Sequence, residues 1–423
     1  MPQRRTECPG AVMLTLGIVV LLASPAAIGA QVPTDLPRVP DAIHQAAAAG
    51  AAAPVRIDIG AAPAPLYDDP VWHGASDPVV IWMPGKGEWW MYYTQRRATL
   101  PDARGVDWVH GSAIAIATSA DGLSWKYIGV VQGRLPAADD SPARELGNPL
   151  DSSSTWWAPT VFWEGGNGMS GGGRPGDRLH MFVTLVHGIF TSWTGTRTIE
   201  HFTSTDGVNW TYVSSLPLAS QRAIDPSVHR IGDAWYLWYK NEAAGSHTFM
   251  ARSADLEKWV DQGEAIGGRG HEAPFVWHWK GSYWMINDAH GQGMDVWKSA
   301  TGTGGWELNT NLLNDHDGIR PVDDQVGHHP WIVMQGEPGN EQLLLFYFTH
   351  AGKQTVMQIA EITLAADGRL SCDRNRFANA APATEDDGGG RWQVPSRGSA
   401  ARTHTVAGTS SAAGDSAYLA PSW

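Results

Sequence analysis

Three carboxylates in this chain stand just before, or one residue removed from, a proline at the start of a short apolar run. They are Asp77 in Ser76-Asp77-Pro78-Val79, Asp225 in Ile224-Asp225-Pro226-Ser227, and Glu272 in His271-Glu272-Ala273-Pro274. Carboxylates brought into one site repel one another and are driven off their ordinary titration range, as working acids and bases are. Two carboxyls on either side of a glycosidic bond suffice to hydrolyse it. One protonates the leaving oxygen, and the other activates water or attacks carbon. An isolated Asp-Pro is a common turn and strand start for backbone reasons alone. The chemistry therefore depends on elements that bring distant residues together.

Those elements repeat. First strands are read at Asp77-Pro78-Val79-Val80-Ile81, Ala158-Pro159-Thr160-Val161-Phe162, Asp225-Pro226-Ser227-Val228, Ala273-Pro274-Phe275-Val276-Trp277 and His329-Pro330-Trp331-Ile332-Val333. Second strands, rich in aromatic and β-branched residues, follow at Glu88 to Gln95, Arg178 to Val186, Ala234 to Asn241, Ser282 to Asp288 and Gln342 to His350. Third strands run into Ser119-Ala120-Asp121-Gly122 with Trp125, Ser204-Thr205-Asp206-Gly207 with Trp210, and Ser253-Ala254-Asp255 with Trp259; Ser299-Ala300 with Trp306 is a worn copy. Asp-Gly between strands marks a hairpin, and the recurring Trp is expected to plug gaps between units. Four short strands repeated five times predict an all-β, five-bladed β-propeller with four antiparallel strands per blade. Two β-sandwich domains would not explain the fivefold phrase.

In a propeller the first strand of each blade lines the hub. The residues expected at one mouth are then Asp77, Trp157 with Ala158, Asp225, Glu272, and His328 with His329. Trp157 is placed where an indole stacks on a sugar ring, and Arg320, just before the fifth blade, within reach of a substrate hydroxyl. Both are assigned to substrate binding. Asp121, Asp206 and Asp255 lie in hairpin turns and are read as structural.

The formal net charge of −13 argues against nucleic acid or an anionic membrane as partner and suits a neutral carbohydrate. Residues 1–30 have the form of a secretory signal peptide: Arg4 and Arg5, an apolar run from Ala11 to Ala23, and small residues ending at Ala30. Cys8 falls in that segment and Cys372 is left alone, so no internal disulfide is expected. Residues 31–65 read as an Ala/Pro-rich linker, 66–370 as the propeller, and 371–423 as a low-complexity, disordered tail. Insertions at 97–111 and 132–155 fall where substrate subsites are built. The expected product is a secreted or periplasmic monomer. HExxH, Walker and paired CxxC motifs are absent, which leaves zinc protease and nucleotide readings without support.

On Ser76-Asp77-Pro78, Trp157-Ala158-Pro159, Ile224-Asp225-Pro226-Ser227, His271-Glu272-Ala273-Pro274 and Gly327-His328-His329, the chain resembles glycoside hydrolase family 43. That family belongs to the clan of five-bladed arabinanases, arabinofuranosidases and xylosidases. The resemblance spans roughly residues 70–365. It implies that Asp77 is the general base, Glu272 the general acid, and Asp225 the group that raises the pKa of Glu272 and orients it. It implies inversion of configuration, with Asp77 and Glu272 roughly 6.5–9.5 Å apart. It also implies that His328 helps hold a calcium ion in the central channel through waters, a structural ion that the chemistry itself does not require. Two departures stand out: Ala273-Pro274 replaces the commoner Gly-Pro, and the paired histidines leave the blade-5 register open. The fructan-hydrolase clan is a second relative, and a non-catalytic carbohydrate-binding propeller is the alternative from another class. A propeller phosphorylase fits poorly with export.

Overall fold

The computed structural model describes residues 52–136, 145–146, 154–166, 168–169, 171, 173–174 and 176–377. The signal segment at 1–30, the tail beyond 377, and much of the 132–155 insertion lie outside the described residues.

A two-residue strand β1 (Tyr67–Asp68) precedes five antiparallel sheets. Blade 1 holds β2 (Ala75–Met83), β3 (Glu88–Gln95), β4 (Ala113–Ser119) and β5 (Lys126–Val130). A short β6 (Gln132–Arg134), from the start of the second insertion, adds parallel to the outer edge of blade 2. Blade 2 holds β7 (Thr155–Trp163), β8 (Leu179–Val186), β9 (Arg197–Ser204) and β10 (Asn209–Ser215). Blade 3 holds β11 (Ala223–Ile231), β12 (Ala234–Asn241), β13 (His247–Ser253) and β14 (Trp259–Ile266). Blade 4 holds β15 (Glu272–Trp279), β16 (Ser282–Asp288), β17 (Met294–Ser299) and β18 (Glu307–Leu312). Blade 5 holds β19 (His328–Gln335), β20 (Gln342–Ala351) and β21 (Gln354–Leu364).

The inner strands touch in the order β2, β7, β11, β15, β19 and back to β2, so the ring closes. The outer edge of blade 5 is composite. β1 pairs with Val356 and Met357 of β21, and β22 (Leu370–Cys372) pairs with its far end. Chain segments from both ends of the propeller thus fasten one blade, a closure that leaves no gap for the ring to open.

The recurring turns work as the repeat requires. Ser119 Oγ accepts from Gly122 N at 2.8 Å, and Asp121 Oδ1 accepts from the N–H groups of Leu123 and Ser124 at 2.8 Å. The same pattern recurs at Ser204 with Asp206 and at Ser253 with Asp255. Gly207 has φ +81 and lies so close to blade 1 that an added Cβ would sit 2.6 Å from the Tyr92 hydroxyl. Two of the tryptophans that follow sit between blades as expected. Trp210 meets Tyr92 of blade 1 edge-on at 6.1 Å, and Trp259 meets Phe182 of blade 2 edge-on at 5.4 Å.

One expected boundary is corrected. Within the segment 31–65, expected to be mostly linker apart from the strand-like alternation Val55-Arg56-Ile57-Asp58-Ile59, the residues Ile57, Ile59 and Ala62 are buried in the main core. The side chain of Gln335 pairs with both backbone groups of Ile57, at 2.9 Å each, and the Trp82 and Trp89 indoles donate to the carbonyls of Ala52 and Val55. The alternation Val55-Arg56-Ile57-Asp58-Ile59 is thus a packed strap across the seam between blades 5 and 1. Gln335→Ala should remove both bonds and lower stability by about 1–2 kcal/mol in urea unfolding, because Ile57 is left with unpaired, part-buried backbone groups. Unchanged stability would show that the strap does not hold the seam.

Candidate active site

Every inner strand breaks register at its X-Pro step, between Ser76 and Val79, Trp157 and Thr160, Ile224 and Ser227, Glu272 and Phe275, and His328 and Trp331. Proline brings no N–H to the ladder, and the residue before it takes up the irregularity as a bulge. That residue is left-handed in all five blades: Asp77 (φ 55), Ala158 (φ 44), Asp225 (φ 56), Ala273 (φ 51) and His329 (φ 48). Five non-glycine residues in this costly conformation mark where the fold accepts strain, a habit of functional sites. The pattern settles the blade-5 register: His329, not His328, is the equivalent of Asp77 and Asp225. Glu272 belongs to the position one residue earlier, with Ser76, Trp157, Ile224 and His328.

Second strands lock these bulges from the neighbouring blade. Opposite the residue before each bulge stand Thr94, Thr184, Lys240, Asp288 and Phe348. Thr94 Oγ1 accepts from Ala158 N at 2.8 Å, and Thr184 Oγ1 accepts from Asp225 N at 3.0 Å. Lys240 Nζ donates to Glu272 Oε2 at 2.7 Å, and Asp288 Oδ2 bonds His328 Nδ1 at 2.8 Å. Phe348 lies beneath the Arg96 guanidinium at 4.7 Å and stacks with His328.

The predicted carboxylates belong to one connected cluster. Asp77 is buried, accepts from the Ser76 hydroxyl at 3.1 Å, and has Arg96 and His329 each 3.3 Å from Oδ1. Asp225 Oδ2 accepts from Ala273 N at 3.2 Å, which ties it to the bulge beside Glu272. Burial pushes the Asp225 carboxyl up to about 6, with the charges of Glu272 and Asp77 adding to the rise and His329 and Lys240 opposing it. Burial alone would also raise Glu272, but Lys240 and His290, the latter 3.4 Å away, outweigh it and hold Glu272 well below the usual carboxylate range. Lys240 also faces Glu242 at 3.7 Å, and Glu242 pairs in turn with Arg197 and Arg222.

The other predicted residues take different places. Trp157 is 8% exposed, donates its indole N–H to Val109 O at 2.7 Å, and is packed with Trp108, Val109 and Val186 beneath the 97–111 insertion. Arg320 is corrected: it is 5% exposed, and its guanidinium donates to the carbonyls of Ala62, Pro63 and Ile359. It fastens the N-terminal strap to blade 5 rather than reaching out to a substrate. His328 is buried against Asp288, which overcomes the downward pull of burial and raises the imidazole pKa. Among the described residues no group of three or more His, Cys, Asp or Glu side chains is arranged to hold a metal ion directly. Asp288 Oδ1 is buried without a hydrogen-bond partner, which leaves one acceptor in the channel for water or a hydrated ion. Sequence reasoning missed Arg96, Lys240, Glu242 and His290. The first two sit at or just beyond the ends of second strands, and the equivalence of those strand ends across the repeat was the signal available.

Solved structures of the same fold are numerous. The chain is similar to the family 43 β-1,3-galactosidase solved with galactodeoxynojirimycin, at 14% identity and TM-score 0.50, covering 71% of this chain and 93% of that one. It is also similar to xylan β-1,4-xylosidase from Bacillus halodurans C-125, at 14% identity and TM-score 0.50, covering 75% of this chain and 56% of that longer one. At that identity the likeness establishes the shared propeller fold. No protein-family model matches the sequence, and no curated protein matches it.

The perturbed Asp225 has a measurable consequence. A carboxyl raised to about 6 in the fold favours its protonated form, so its contribution to stability is complete below the unfolded value of about 4 and fades as pH rises through about 6. Asp225→Asn mimics the protonated acid at every pH. Urea unfolding should show it matching the wild type near pH 4 and exceeding it by about 2–3 kcal/mol at pH 8. A difference independent of pH would contradict the buried, charge-crowded placement of Asp225.

Proposed function

We propose that the protein is an exported glycoside hydrolase that cleaves arabinose-, xylose- or galactose-containing glycans with inversion of configuration. The observation that carries the reading is the joining of Asp77, Asp225 and Glu272, from blades 1, 3 and 4, into one cluster at strained inner-strand bulges. In this reading Asp77, held by Ser76, Arg96 and His329, takes a proton from a water as that water attacks the anomeric carbon. Glu272 delivers a proton to the departing glycosidic oxygen. Asp225, sharing the crowded charge, sets the protonation of its neighbour and fixes the Ala273 backbone. A hydrated calcium ion would be faced by His328 and Asp288 and would neutralise the channel; none of the proton transfers described runs through it. The N-terminal signal-like segment supports export, and the similarity to a family 43 β-1,3-galactosidase solved with galactodeoxynojirimycin supports a carbohydrate ligand.

One observation favours a second reading. Glu272 paired to Lys240 at 2.7 Å is held ionised, and an ionised carboxylate has no proton to give. A propeller that binds a glycan without cleaving it would show the same pair. A screen of nitrophenyl glycosides with arabinan, xylan and galactan separates the two. Hydrolysis is expected, with Glu272→Gln and Asp77→Asn each lowering kcat by roughly 10²–10⁴-fold while near-ultraviolet circular dichroism stays native. Oligosaccharide binding without released sugar would establish the binding propeller, and full activity in either variant would remove the assigned roles.

A further inference from the structure

The loop that joins β8 to β9 sets a tryptophan at the mouth and leaves it uncovered. Among the described residues the large apolar side chains left exposed are Val55, Trp193, Val260, Leu308, Ile319 and Leu364, and of these only Trp193 is aromatic. Its place is not the outer wall. Val186, the last residue of β8, pairs with Thr155 at the start of β7 and with Arg197 at the start of β9. The loop of residues 187–196 therefore stands on the end of blade 2 that carries Trp157 and the hub bulge at Ala158.

The Trp193 ring packs on two buried rings, Trp157 at 6.1 Å and His110 at 6.4 Å between centroids, and still leaves 38% of the residue to solvent. The loop is built to hold that posture. Gly188 (φ 143) and Gly195 (φ 98) close on the Phe190 ring so tightly that an added Cβ would lie 2.6 Å and 2.4 Å from it. Thr155 Oγ1 donates to Gly188 O at 2.8 Å, and Val106 N of the 97–111 insertion donates to Thr191 O at 3.1 Å. Arg222, just before β11, donates from Nη2 to Trp193 O at 3.4 Å. Three blades thus fix the loop. An indole held in the open has already lost the freedom that binding would otherwise cost it.

The size of the uncovered face decides what it fits. A tryptophan buries roughly 150–250 Å², so the open part of Trp193 amounts to about 100 Å² at most. A stable protein partner needs about 800 Å² on each side. One sugar ring is the better match: it offers an apolar face to the indole and hydroxyls to the exposed Thr191, Ser192 and Thr194 beside it.

We propose that Trp193 is the platform of an outer subsite that stacks a neutral sugar ring of the glycan, at least one unit away from the ring held at the hub carboxylates. The stacking role that the sequence suggests for Trp157 passes to the indole packed against it. The inference rests on the reading that the mouth receives a glycan, and it holds whether that glycan is cleaved or only bound. It narrows the ligand from a single sugar to a chain. A monosaccharide at the hub leaves Trp193 untouched, whereas an oligosaccharide reaches it.

Isothermal titration of the full chain tests this, in an Asp77→Asn background so that no sugar is consumed. The probes are D-xylose with xylotriose, L-arabinose with α-1,5-arabinotriose, and D-galactose with β-1,3-galactotriose. At least one trisaccharide should bind about tenfold more tightly than its monosaccharide, the gain expected of one stacked ring. Trp193→Ala should bring that trisaccharide down to the affinity the unaltered site has for the monosaccharide. Trp193→Tyr should keep most of the gain and thereby show that the loss in the alanine variant is not a collapsed loop. Equal affinity within every pair, a length preference that survives Trp193→Ala, or one lost equally in the tyrosine variant overturns the subsite alone. Binding of none of the six sugars overturns the glycan reading and the subsite with it. None of these readouts needs turnover, so failure of the hydrolase reading shows separately, in the glycoside screen.

Discussion

The structure depends on a bond between neighbours: a second-strand side chain of one blade reaching the inner-strand bulge of the next. Each inner strand carries an X-Pro step at which the ladder breaks and a residue turns left-handed. Left alone, such a bulge exposes unpaired backbone groups and a strained residue. Thr94 and Thr184 answer the unpaired N–H groups of Ala158 and Asp225 from the preceding blade. The blades are thereby coupled at the hub, and side chains placed there are fixed by two sheets at once. That is the rigidity an acid–base pair needs.

From this repeat the chain draws chemistry by changing residue types at equivalent places. At the left-handed position two blades use aspartate, two use alanine and one uses histidine. At the second-strand position two use threonine, while the others use lysine, aspartate and phenylalanine. The result is an uneven field. On one side Asp77 is shared between Arg96 and His329, and on the other Glu272 is shared between Lys240 and His290, with Asp225 buried between their influences. Carboxyls of one type are thus pushed in opposite directions, Asp225 up and Glu272 down, by burial in one case and by cations in the other.

Much of this was legible in the sequence because a repeat reports itself several times. The Asp-Gly turns, the Trp that follows them and the X-Pro strand starts recur at a common spacing, so the propeller and its hub residues could be read without a structure. Asp77, Asp225 and Glu272 followed from that register. Lys240 did not, since a lysine ending an aromatic strand looks like an ordinary solvated terminus until the next blade is laid against it. Arg320 was misread for the opposite reason. A charged residue before an inner strand suggested a reach into the mouth, whereas the carbonyls of the N-terminal strap claim its guanidinium. The strap showed itself only as a short strand-like alternation, Val55 to Ile59, among alanines and prolines, and nothing in that run said which seam it packs against.

The central claim is that Asp77 and Glu272 act from opposite sides of one bond with a water between them. Proton magnetic resonance of the reaction in progress, on the glycoside cleaved fastest, reads this directly from the anomeric signal of the first sugar released. The account predicts that this sugar carries the anomeric configuration opposite to that of the substrate and equilibrates only afterwards. Release with the original configuration would mean a covalent intermediate on one of these carboxylates and would contradict it.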